Sequence, residues 1–322
     1  MTPKKILIFV GEDLLGDALL KMPFVYGVRD LFPKAEIHWW AGYGKTAFKE
    51  MLAPLVDGIF ADTKEHAFAD LDWKSLLKGS TFKEHSFDLI IDTQRDLKNT
   101  LLLRKIPHKK FISSTQHYVF SDYSPGRGRK PSSEHLSDKL LFLIEPIKGE
   151  KTEPQFAKVP EDYKTPFKEY FSAHKTYVGL APGAGQTIKQ WPLENFIEVA
   201  RELVAKNKVP VFILGPQEAS WKELLKDVLP EALFPLQEYP EWLKSPLYTA
   251  GMSSYFEKSV ANDSGTGHLL ALGGKPLISL FGKTKAAKVH PLAEHLTILK
   301  SLDHGTLDVK DIPVSDVLRA VC

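Results

Sequence analysis

The strongest constraint on the fold is an alternation between short apolar segments and longer segments with helical periodicity. The apolar runs are rich in Val, Ile, Leu and Phe and occur in both halves of the chain, at 5–10, 87–91, 177–182, 209–215 and 276–282. Amphipathic helical patterns separate them, for example at 17–31 and 195–207. Strands that are apolar on both faces belong to parallel sheets covered by helices. The sequence therefore predicts an α/β protein of the doubly wound type, which binds ligands at the carboxyl ends of its strands.

A change in composition divides the chain into two domains. A chain of 322 residues has room for two domains of ordinary size. The stretch from Lys148 to Lys175 is rich in Pro, Glu and Lys and is typical of a linker that carries one short helix. We therefore place the boundary near residue 170, so that two Rossmann-like domains, 1–170 and 171–322, face each other across a cleft. The last helix is expected to pack back on the first domain.

Composition excludes several classes of function. Basic residues exceed acidic ones by only two, which argues against a nucleic-acid partner. Cys322 is the single cysteine, so an intrachain disulfide and a cysteine-based zinc site are excluded. The first apolar run, Ile6–Val10, is shorter than the roughly 7–15 residues of a signal-peptide core, and no run reaches the roughly 18 residues of a membrane span. We expect a cytoplasmic protein, with peripheral contact at the cytoplasmic face of the inner membrane as its closest approach to a bilayer.

Positive charge is concentrated in one segment of the first domain. Between Arg95 and Lys130, nine basic residues stand against two acidic ones, Asp96 and Asp122. Such an excess favours an anionic acceptor or a membrane surface as partner, although solvated loop charges would give the same pattern.

A first candidate site follows the first apolar run, in the segment Gly11–Asp17. Gly16 lets the backbone turn closely, and Asp17 falls at the start of the next helix, where the dipole stabilises a carboxylate. Asp17 is either a plain helix N-cap or a general base, because a carboxylate at the carboxyl end of a first strand is well placed to accept a proton.

A second candidate site is the small-residue loop 181–185, which leads to Lys189 and then to Trp191 and Pro192. The backbone N–H groups of such a loop can bind anionic oxygens, and Lys189 adds a cation for a phosphate. The alternative is a tight turn beside a solvated lysine.

A third candidate site is the segment Asn262–His268, between an apolar run and a helix. Asp263 or Ser264 can cap that helix, and the glycines at 265 and 267 allow a ligand to approach its positive end. His268 falls in the first turn, where it faces either a ligand or the packed side of the helix.

Other chemistries lack support in the sequence. The segment Gly42–Thr46 is not a phosphate-binding P-loop, because Trp39 occupies the position of the required first glycine. The eleven histidines show no paired metal-ligand spacing, and no Gly-x-Ser-x-Gly nucleophile motif occurs. The prediction is a protein without a bound metal, without a resident cofactor and without a serine nucleophile.

Taken together, the motifs resemble those of the lipopolysaccharide heptosyltransferases, glycosyltransferase family 9. The resemblance spans residues 5 to about 290 and rests on KILIFVGEDLLGDALLKMPF, DLIIDTQRDLKNTLLL, PGAGQTIKQWP, ILGPQE, DSGTGH and GKPLISLFGKT, which stand in the family's order. It implies a GT-B fold and an inverting transfer of heptose that needs no metal. The donor would be a nucleotide-sugar, ADP-heptose, and the acceptor a lipid-linked glycan of the lipopolysaccharide inner core.

The resemblance also implies a role for individual residues. Asp17 would be the catalytic base, and Gly16, Arg95 and Lys98 would contact the acceptor. Glu218 would contact the nucleoside, and Lys189 with the neighbouring backbone amides would meet the diphosphate charge. The full donor-binding set would be Gly183, Ala184, Gly185, Lys189, Glu218, Asp263, Ser264, Gly265 and His268.

The chain departs from the family pattern in the first loop and beside Lys189. The family usually has an Arg and small polar residues where this chain has Glu12-Asp13-Leu14-Leu15, and the two extra acids could raise the pKa of the proposed base or change the acceptor. Lys-Gln-Trp also replaces the commoner Lys-Arg-Trp. Two alternatives therefore stay open: a related transferase with another nucleotide-sugar or glycan acceptor, and a non-catalytic nucleotide-sugar-binding protein on the same fold. A GT-B epimerase is also compatible with the architecture.

Overall fold

The computed structural model describes residues 3–77 and 82–322 and separates into two compact units, Met1–Phe156 and Ala157–Cys322. Each unit contains one five-stranded sheet in which every paired neighbour is parallel. The predicted α/β, doubly wound architecture is therefore confirmed for both halves of the chain. Within the described residues, no helix is both long enough and apolar enough to cross a membrane.

The first sheet has the strand order β3-β2-β1-β4-β5. Its strands are β1 (Lys5–Val10), β2 (Glu36–Ala41), β3 (Phe60–Lys64), β4 (Phe87–Asp92) and β5 (His108–Ser113), and its helices are α1 (Leu15–Leu31), α2 (Leu97–Leu103) and α3 (Leu136–Lys148). The central strand has no exposed surface from Ile6 to Val10, because its alternate side chains are covered on both faces of the sheet. Helices α1 and α3 pack against each other.

The second sheet has the strand order β7-β6-β8-β9-β10. Its strands are β6 (Thr176–Ala181), β7 (Lys208–Phe212), β8 (Lys258–Asn262), β9 (Leu277–Phe281) and β10 (Leu296–Lys300). Its helices are α4 (Phe167–Tyr170), α5 (Leu193–Ala205), α6 (Trp221–Val228), α7 (Pro235–Glu238), α8 (Leu247–Ser253), α9 (Gly265–Leu272), α10 (Ala286–Val289) and α11 (Val314–Val321). The buried face of α5 has the three-and-four spacing of an amphipathic helix, with Phe196, Val199, Ala200 and Leu203.

The second unit includes residues on both sides of the predicted boundary near residue 170. Phe167 and Phe171 are buried in the same core as Tyr177 of β6, so the chain enters the second unit before that point. At the other end, Val317 and Val321 of α11 are buried in the core of this unit. Helix α11 packs against α5 and the neighbouring strands.

Each sheet has one point at which the strand order reverses. In the first sheet this point lies between β1 and β4, and in the second between β6 and β8. The connections leave such a pair of strands toward opposite faces, so a crevice opens at their carboxyl ends, where doubly wound proteins bind ligands. The three sequence motifs lie directly after β1, β6 and β8. The fold therefore places every candidate motif at one of the two reversal points.

Candidate functional site

At the reversal point of the second sheet, one buried amide joins the two loops. Asn262, the last residue of β8, has no exposed surface. Its Nδ2 donates a hydrogen bond to the carbonyl of Pro182 at 2.7 Å, and its Oδ1 accepts one from the backbone N–H of Trp191 at 3.1 Å. The loop after β6 is thus held at its beginning and at its end by the strand beside it.

That arrangement brings together two residues that are 74 positions apart in the sequence. The Nζ atom of Lys189 lies 2.8 Å from Oδ2 of Asp263. The Asp263 side chain is nearly buried, whereas about a third of the Lys189 side chain is exposed. A charged pair at this depth is screened less than a surface pair, and the exposed edge of the ammonium group can still reach a ligand.

Helix α9 begins directly after this pair. Ser264 is its N-cap, since its Oγ accepts a hydrogen bond from the N–H of Gly267 at 3.4 Å. The cap is therefore Ser264, one of the two residues that the sequence allowed. Gly265 opens the helix, and His268 lies in its first turn with a buried side chain. The positive end of the α9 dipole thus faces the same crevice as Lys189.

Glu218 lies against the glycine loop. Its side chain is largely buried, and a Cβ atom at Gly183 would lie 2.6 Å from its Cδ atom. A Cβ atom at Gly215 would lie 2.9 Å from Oε2 of the same carboxylate. Any larger residue at Gly183 would push Glu218 away, so the glycine there is needed for close packing. A Cβ atom at Gly185 would meet nothing within 4 Å, which leaves open space beside the loop.

The loop is also held by Gln190, whose Nε2 donates to the carbonyl of Ala184 at 3.0 Å. This glutamine stands where the family usually has an arginine. Its neutral amide adds no positive charge to the crevice and keeps the loop closed on itself.

In the first unit, the loop after β1 is held mainly by Asp13. Its carboxylate has no exposed surface and lies 2.9 Å from Nζ of the buried Lys21, in the second turn of α1. The hydroxyl of Thr46 donates to the other carboxylate oxygen. The backbone N–H of Asp13 donates to the carbonyl of Lys45 at 3.1 Å, so the loop after β2 holds the loop after β1. Sequence reasoning missed Lys21, which compensates the charge of one of the two extra acids.

Asp17 is the third residue of α1 and its side chain is exposed. The N-cap position belongs to Leu14, which makes no side-chain capping bond, so the interpretation of Asp17 as the N-cap is wrong. Gly16 is the second residue of the same turn. An exposed carboxylate in the first turn is stabilised by the helix dipole and is accessible to a substrate hydroxyl.

The segment Gly42–Thr46, already rejected as a P-loop, has packing functions instead. A Cβ atom at Gly42 would lie 2.4 Å from Cζ of Phe9, and one at Gly44 would lie 2.3 Å from Oε2 of Glu12. Glycine is therefore required at both positions by close approach. Tyr43, between them, is partly exposed.

The two predicted acceptor residues on the β4 side have different neighbours. Arg95 donates from Nε to Oγ of Ser114 at 3.3 Å, which directs it toward the loop after β5. Lys98 lies over the ring of Tyr43 at 4.7 Å, which directs it toward the loop after β2. The structure thus places both at the carboxyl edge of the first sheet, on opposite sides of the β4 strand.

Beneath them lies a buried carboxylate that the motif analysis did not single out. Asp92, the last residue of β4, accepts hydrogen bonds from the hydroxyls of Thr100 at 2.6 Å and Ser113 at 2.9 Å, and from the N–H of Gln94 at 2.9 Å. No cation compensates it within the described hydrogen bonds and ion pairs, and burial raises its pKa to about 6. The network joins β4, β5 and α2 below the crevice.

Residues 3–77 and 82–322 contain no group of three or more His, Cys, Asp or Glu side chains that could bind a metal ion. The absence of a metal from the reaction stays a prediction.

Comparison by sequence and comparison by structure both find similarity to the same family of proteins. The family model for glycosyltransferase family 9 (heptosyltransferase) matches residues 77–312. A lipooligosaccharide heptosyltransferase 2 from Haemophilus influenzae is 25% identical over 321 residues, covering 94% of this chain and 91% of the relative. The crystal structure of a family 9 glycosyl transferase from Veillonella parvula superposes with a TM-score of 0.71 at 18% identity, covering 98% of this chain and 96% of that one.

A further solved structure, the E. coli ADP-heptose lipopolysaccharide heptosyltransferase II, superposes with a TM-score of 0.66 at 16% identity and covers 98% of this chain and 97% of its own. These superpositions confirm the predicted GT-B fold, and the family model covers well over half of the chain. The chain therefore belongs to glycosyltransferase family 9, the heptosyltransferase family.

Proposed function

We propose that this protein transfers heptose from ADP-heptose to a lipid-linked glycan of the lipopolysaccharide inner core, with inversion at the anomeric carbon and without a metal ion. The observation that carries the proposal is the Lys189–Asp263 pair beside the start of α9, at the reversal point of the second sheet. A cation, a helix N-terminus and a glycine loop converge there, which is the set of groups that binds a diphosphate.

The leaving group needs positive charge, since a nucleoside diphosphate departs as an anion. Lys189 supplies an ammonium group with three N–H donors, which lies 2.8 Å from Oδ2 of Asp263 and can donate to phosphate oxygens. The backbone N–H groups at Gly183–Gly185 and at the start of α9 add fixed dipoles. These groups together supply the stabilisation that a metal ion gives in other transferases.

The nucleoside is assigned to the Glu218 side of the crevice. A carboxylate accepts hydrogen bonds and is well suited to the two hydroxyls of a ribose. Its packing against Gly183 and Gly215 holds the carboxylate in one position. Little side-chain entropy is therefore lost when a ligand binds to it. Asp263 would accept hydrogen bonds from the sugar hydroxyls.

Asp17 is assigned as the general base of a single displacement. Its carboxylate takes the proton from the acceptor hydroxyl as that oxygen forms a bond to the anomeric carbon. The bond from that carbon to the diphosphate oxygen breaks in the same step, and the nucleoside diphosphate leaves from the opposite face. Gly16, Arg95 and Lys98 would contact the acceptor at the carboxyl edge of the first sheet.

The names of similar proteins support the donor and the acceptor. The E. coli structure is described as an ADP-heptose lipopolysaccharide heptosyltransferase, and the Haemophilus influenzae relative as a lipooligosaccharide heptosyltransferase. Peripheral contact with the cytoplasmic face of the inner membrane stays a prediction that follows from a lipid-linked acceptor.

The test is calorimetric titration of the purified protein with ADP, GDP, UDP and CDP, followed by a turnover assay with ADP-heptose and truncated lipopolysaccharide. We expect selective binding of ADP and transfer of heptose with release of ADP. Preference for another nucleotide would contradict the donor assignment and favour a related transferase. Binding of ADP-heptose without transfer to any acceptor would favour a non-catalytic binding protein.

A further inference from the structure

The first unit contains a pocket of about 710 Å³, and Arg95 is the one residue of its described lining that has a role in the proposed chemistry. It lies between the loop after β5, the loop 124–131 and helix α3. Its positively charged or titratable basic side chains are Arg95, His117, Arg127, Arg129, Lys130 and Lys139. None of the described residues that line it is acidic. A pocket with this lining has a positive potential that attracts anions.

Most of this charge lacks a carboxylate partner. Arg129 is the exception, because its Nη2 lies 2.5 Å from Oε2 of the nearly buried Glu145. Its guanidinium group also lies over the ring of Phe142 at 5.8 Å, so Arg129 forms a fixed side of the pocket. The other four arginines and lysines of the pocket have no such partner among the described residues. Within residues 3–77 and 82–322, no carboxylate lies within ion-pair distance of Arg95, Arg127, Lys130 or Lys139. Cations gathered in this way repel one another, and a bound anion would offset the repulsion.

The backbone on one side of the pocket is held in an unfavourable conformation. Gln116, His117 and Tyr118 have φ values of 48°, 56° and 67°, which is the left-handed region that residues with side chains rarely adopt. Three such residues in succession place their side chains around the pocket. Strain of this kind persists where the surrounding structure enforces it, and it is concentrated at binding sites.

Hydrogen bonds to β5 enforce that conformation. The hydroxyl of Ser121 donates to the carbonyl of Ser113 at 2.6 Å and accepts from its N–H at 2.8 Å. The N–H of Asp122 donates to the carbonyl of Phe111 at 2.8 Å. The chain therefore turns back along the edge strand immediately after the strained residues, and these hydrogen bonds hold their geometry.

We propose that this pocket is a phosphate subsite, which holds a phosphomonoester group of the acceptor between Arg95, Arg127 and Lys139. Arginine guanidinium groups bind phosphate oxygens in pairs, and lysine adds a point charge. The volume lies within the roughly 300–1,000 Å³ of ordinary ligand sites, so a sugar attached to the phosphate also fits. Arg95 follows β4 at the reversal point of the sheet, which connects the pocket to the proposed acceptor edge. The acceptor as the source of the phosphate rests on the proposed function, whereas phosphate binding itself does not.

The first experiment measures binding of inorganic phosphate and of mannose 6-phosphate by calorimetry. The variants are Arg127→Gln/Lys139→Gln and, as a matched control, Arg201→Gln, which removes the charge of an exposed arginine on α5. We expect the double variant to bind both probes at least about 10-fold more weakly, the control to bind them as the wild type does, and ADP affinity to be unchanged in all three. Equal phosphate affinity in the double variant and the wild type would overturn the proposal.

The second experiment identifies the source of the phosphate. Turnover is measured with truncated lipopolysaccharide before and after phosphatase treatment, and binding is measured to vesicles of phosphatidylcholine with 30% phosphatidylglycerol, roughly the charge of an anionic leaflet. We expect the double variant to raise KM about 10-fold for the phosphorylated acceptor only, with kcat unchanged. Loss of vesicle binding with unchanged KM for both acceptors would overturn the acceptor assignment in favour of lipid phosphate. Weaker phosphate binding in the variant, together with no transfer by the wild type, would support the subsite and contradict the proposed function.

Discussion

The reversal points of the two sheets are built differently. In the second unit, Asn262 and the Lys189–Asp263 pair join the loops through side chains that belong to recognisable motifs. In the first unit, the loop after β1 is held by a buried pair, Asp13 with Lys21, that lies where the chain departs from the family pattern. The proposed donor side is thus joined by motif residues, whereas the loop of the proposed acceptor side is held by a pair outside the motifs.

The difference separates binding residues from supporting residues. Lys189 is partly exposed and available to a ligand, and so is Asp17. Asp13 and Lys21 are both buried and are occupied with each other. The extra acid of the first loop therefore supports the backbone, and the proposed base lies four residues later, on the accessible side of α1.

The largest effect is expected at Asp17. The variant Asp17→Asn should lower kcat by about 10²- to 10⁴-fold, since the amide cannot accept the proton of the acceptor hydroxyl. ADP affinity should stay unchanged, because the proposed donor residues belong to the other unit. The measurement is steady-state turnover with ADP-heptose and truncated lipopolysaccharide, beside calorimetry with ADP.

Glu12→Gln is the matched control for this variant, because Glu12 is an exposed acid in the same loop. It should retain near-normal turnover. If Asp17→Asn stayed active and Glu12→Gln lost activity, the base would have to be reassigned to Glu12.

A second prediction concerns the buried pair. Lys21→Met should lower the free energy of unfolding of the first unit by about 3–5 kcal/mol, because Asp13 would remain buried without its cation. The double variant Asp13→Asn/Lys21→Met should recover much of that loss, since no charge is then left unpaired. Urea unfolding measures both, provided that the transitions of the two units are resolved.

Lys34→Met is the control, because Lys34 is an exposed lysine of the same unit. Its effect should fall within about 0.5 kcal/mol. Equal effects of Lys21→Met and Lys34→Met would show that the buried pair contributes nothing to stability. Asp13 and Lys21 would then not be supporting residues, and the contrast between the two reversal points would be lost.

The third prediction uses Asp92. Its pKa is raised by burial from 3.8 to about 6, so the folded protein binds this proton more tightly than the unfolded chain does. Stability therefore declines as the pH rises from about 4 to about 6 and stays lower above that range. Asp92→Asn should remove this decline and raise the free energy of unfolding at pH 8 by up to about 3 kcal/mol.

Urea unfolding of wild type and Asp92→Asn at pH 4.5 and pH 8 tests this. The gain should be small at pH 4.5, where the wild-type carboxyl group is already protonated in the folded state. A loss of stability in Asp92→Asn at both pH values would contradict this prediction. It would mean that the hydrogen bonds from Thr100, Ser113 and Gln94 stabilise the carboxylate more than burial destabilises it.

The central strands of both sheets could be predicted from sequence, because burial on both faces produces continuous apolar runs. The strand at 5–10 has the predicted bounds. Three of the four edge strands were missed, namely β3, β5 and β10, since each is partly exposed and mixes polar with apolar residues. The loops that follow central strands carry the candidate residues, so a correct assignment of those strands also located the candidate site.

The missed features depend on tertiary contacts without a sequence signature. Lys21 has the spacing of an ordinary helical residue, and nothing local indicates that it turns back to Asp13. The left-handed run that begins at Gln116 contains no glycine or asparagine, the residues that normally indicate a positive φ. The pocket beside it is lined by both Arg95 and Lys139 of α3, which are 44 residues apart in the sequence, and periodicity does not predict this.

The smallest effect is expected at Lys189, and it tests whether the second reversal point is a donor site at all. Lys189→Ala should weaken ADP binding by about 1–3 kcal/mol, the scale of a charge-assisted contact. The control Lys226→Ala, at an exposed lysine on α6, should leave ADP binding unchanged.

Asp263→Asn should strengthen ADP binding, because it removes a negative charge near the diphosphate and frees Lys189 from its partner. The same variant should weaken binding of ADP-heptose, because contacts to the sugar are lost. Calorimetry with both ligands measures the two variants. If ADP bound equally well to wild type, Lys189→Ala and Asp263→Asn, the pair would be structural, and the two reversal points would be alike in using a charged pair for support alone.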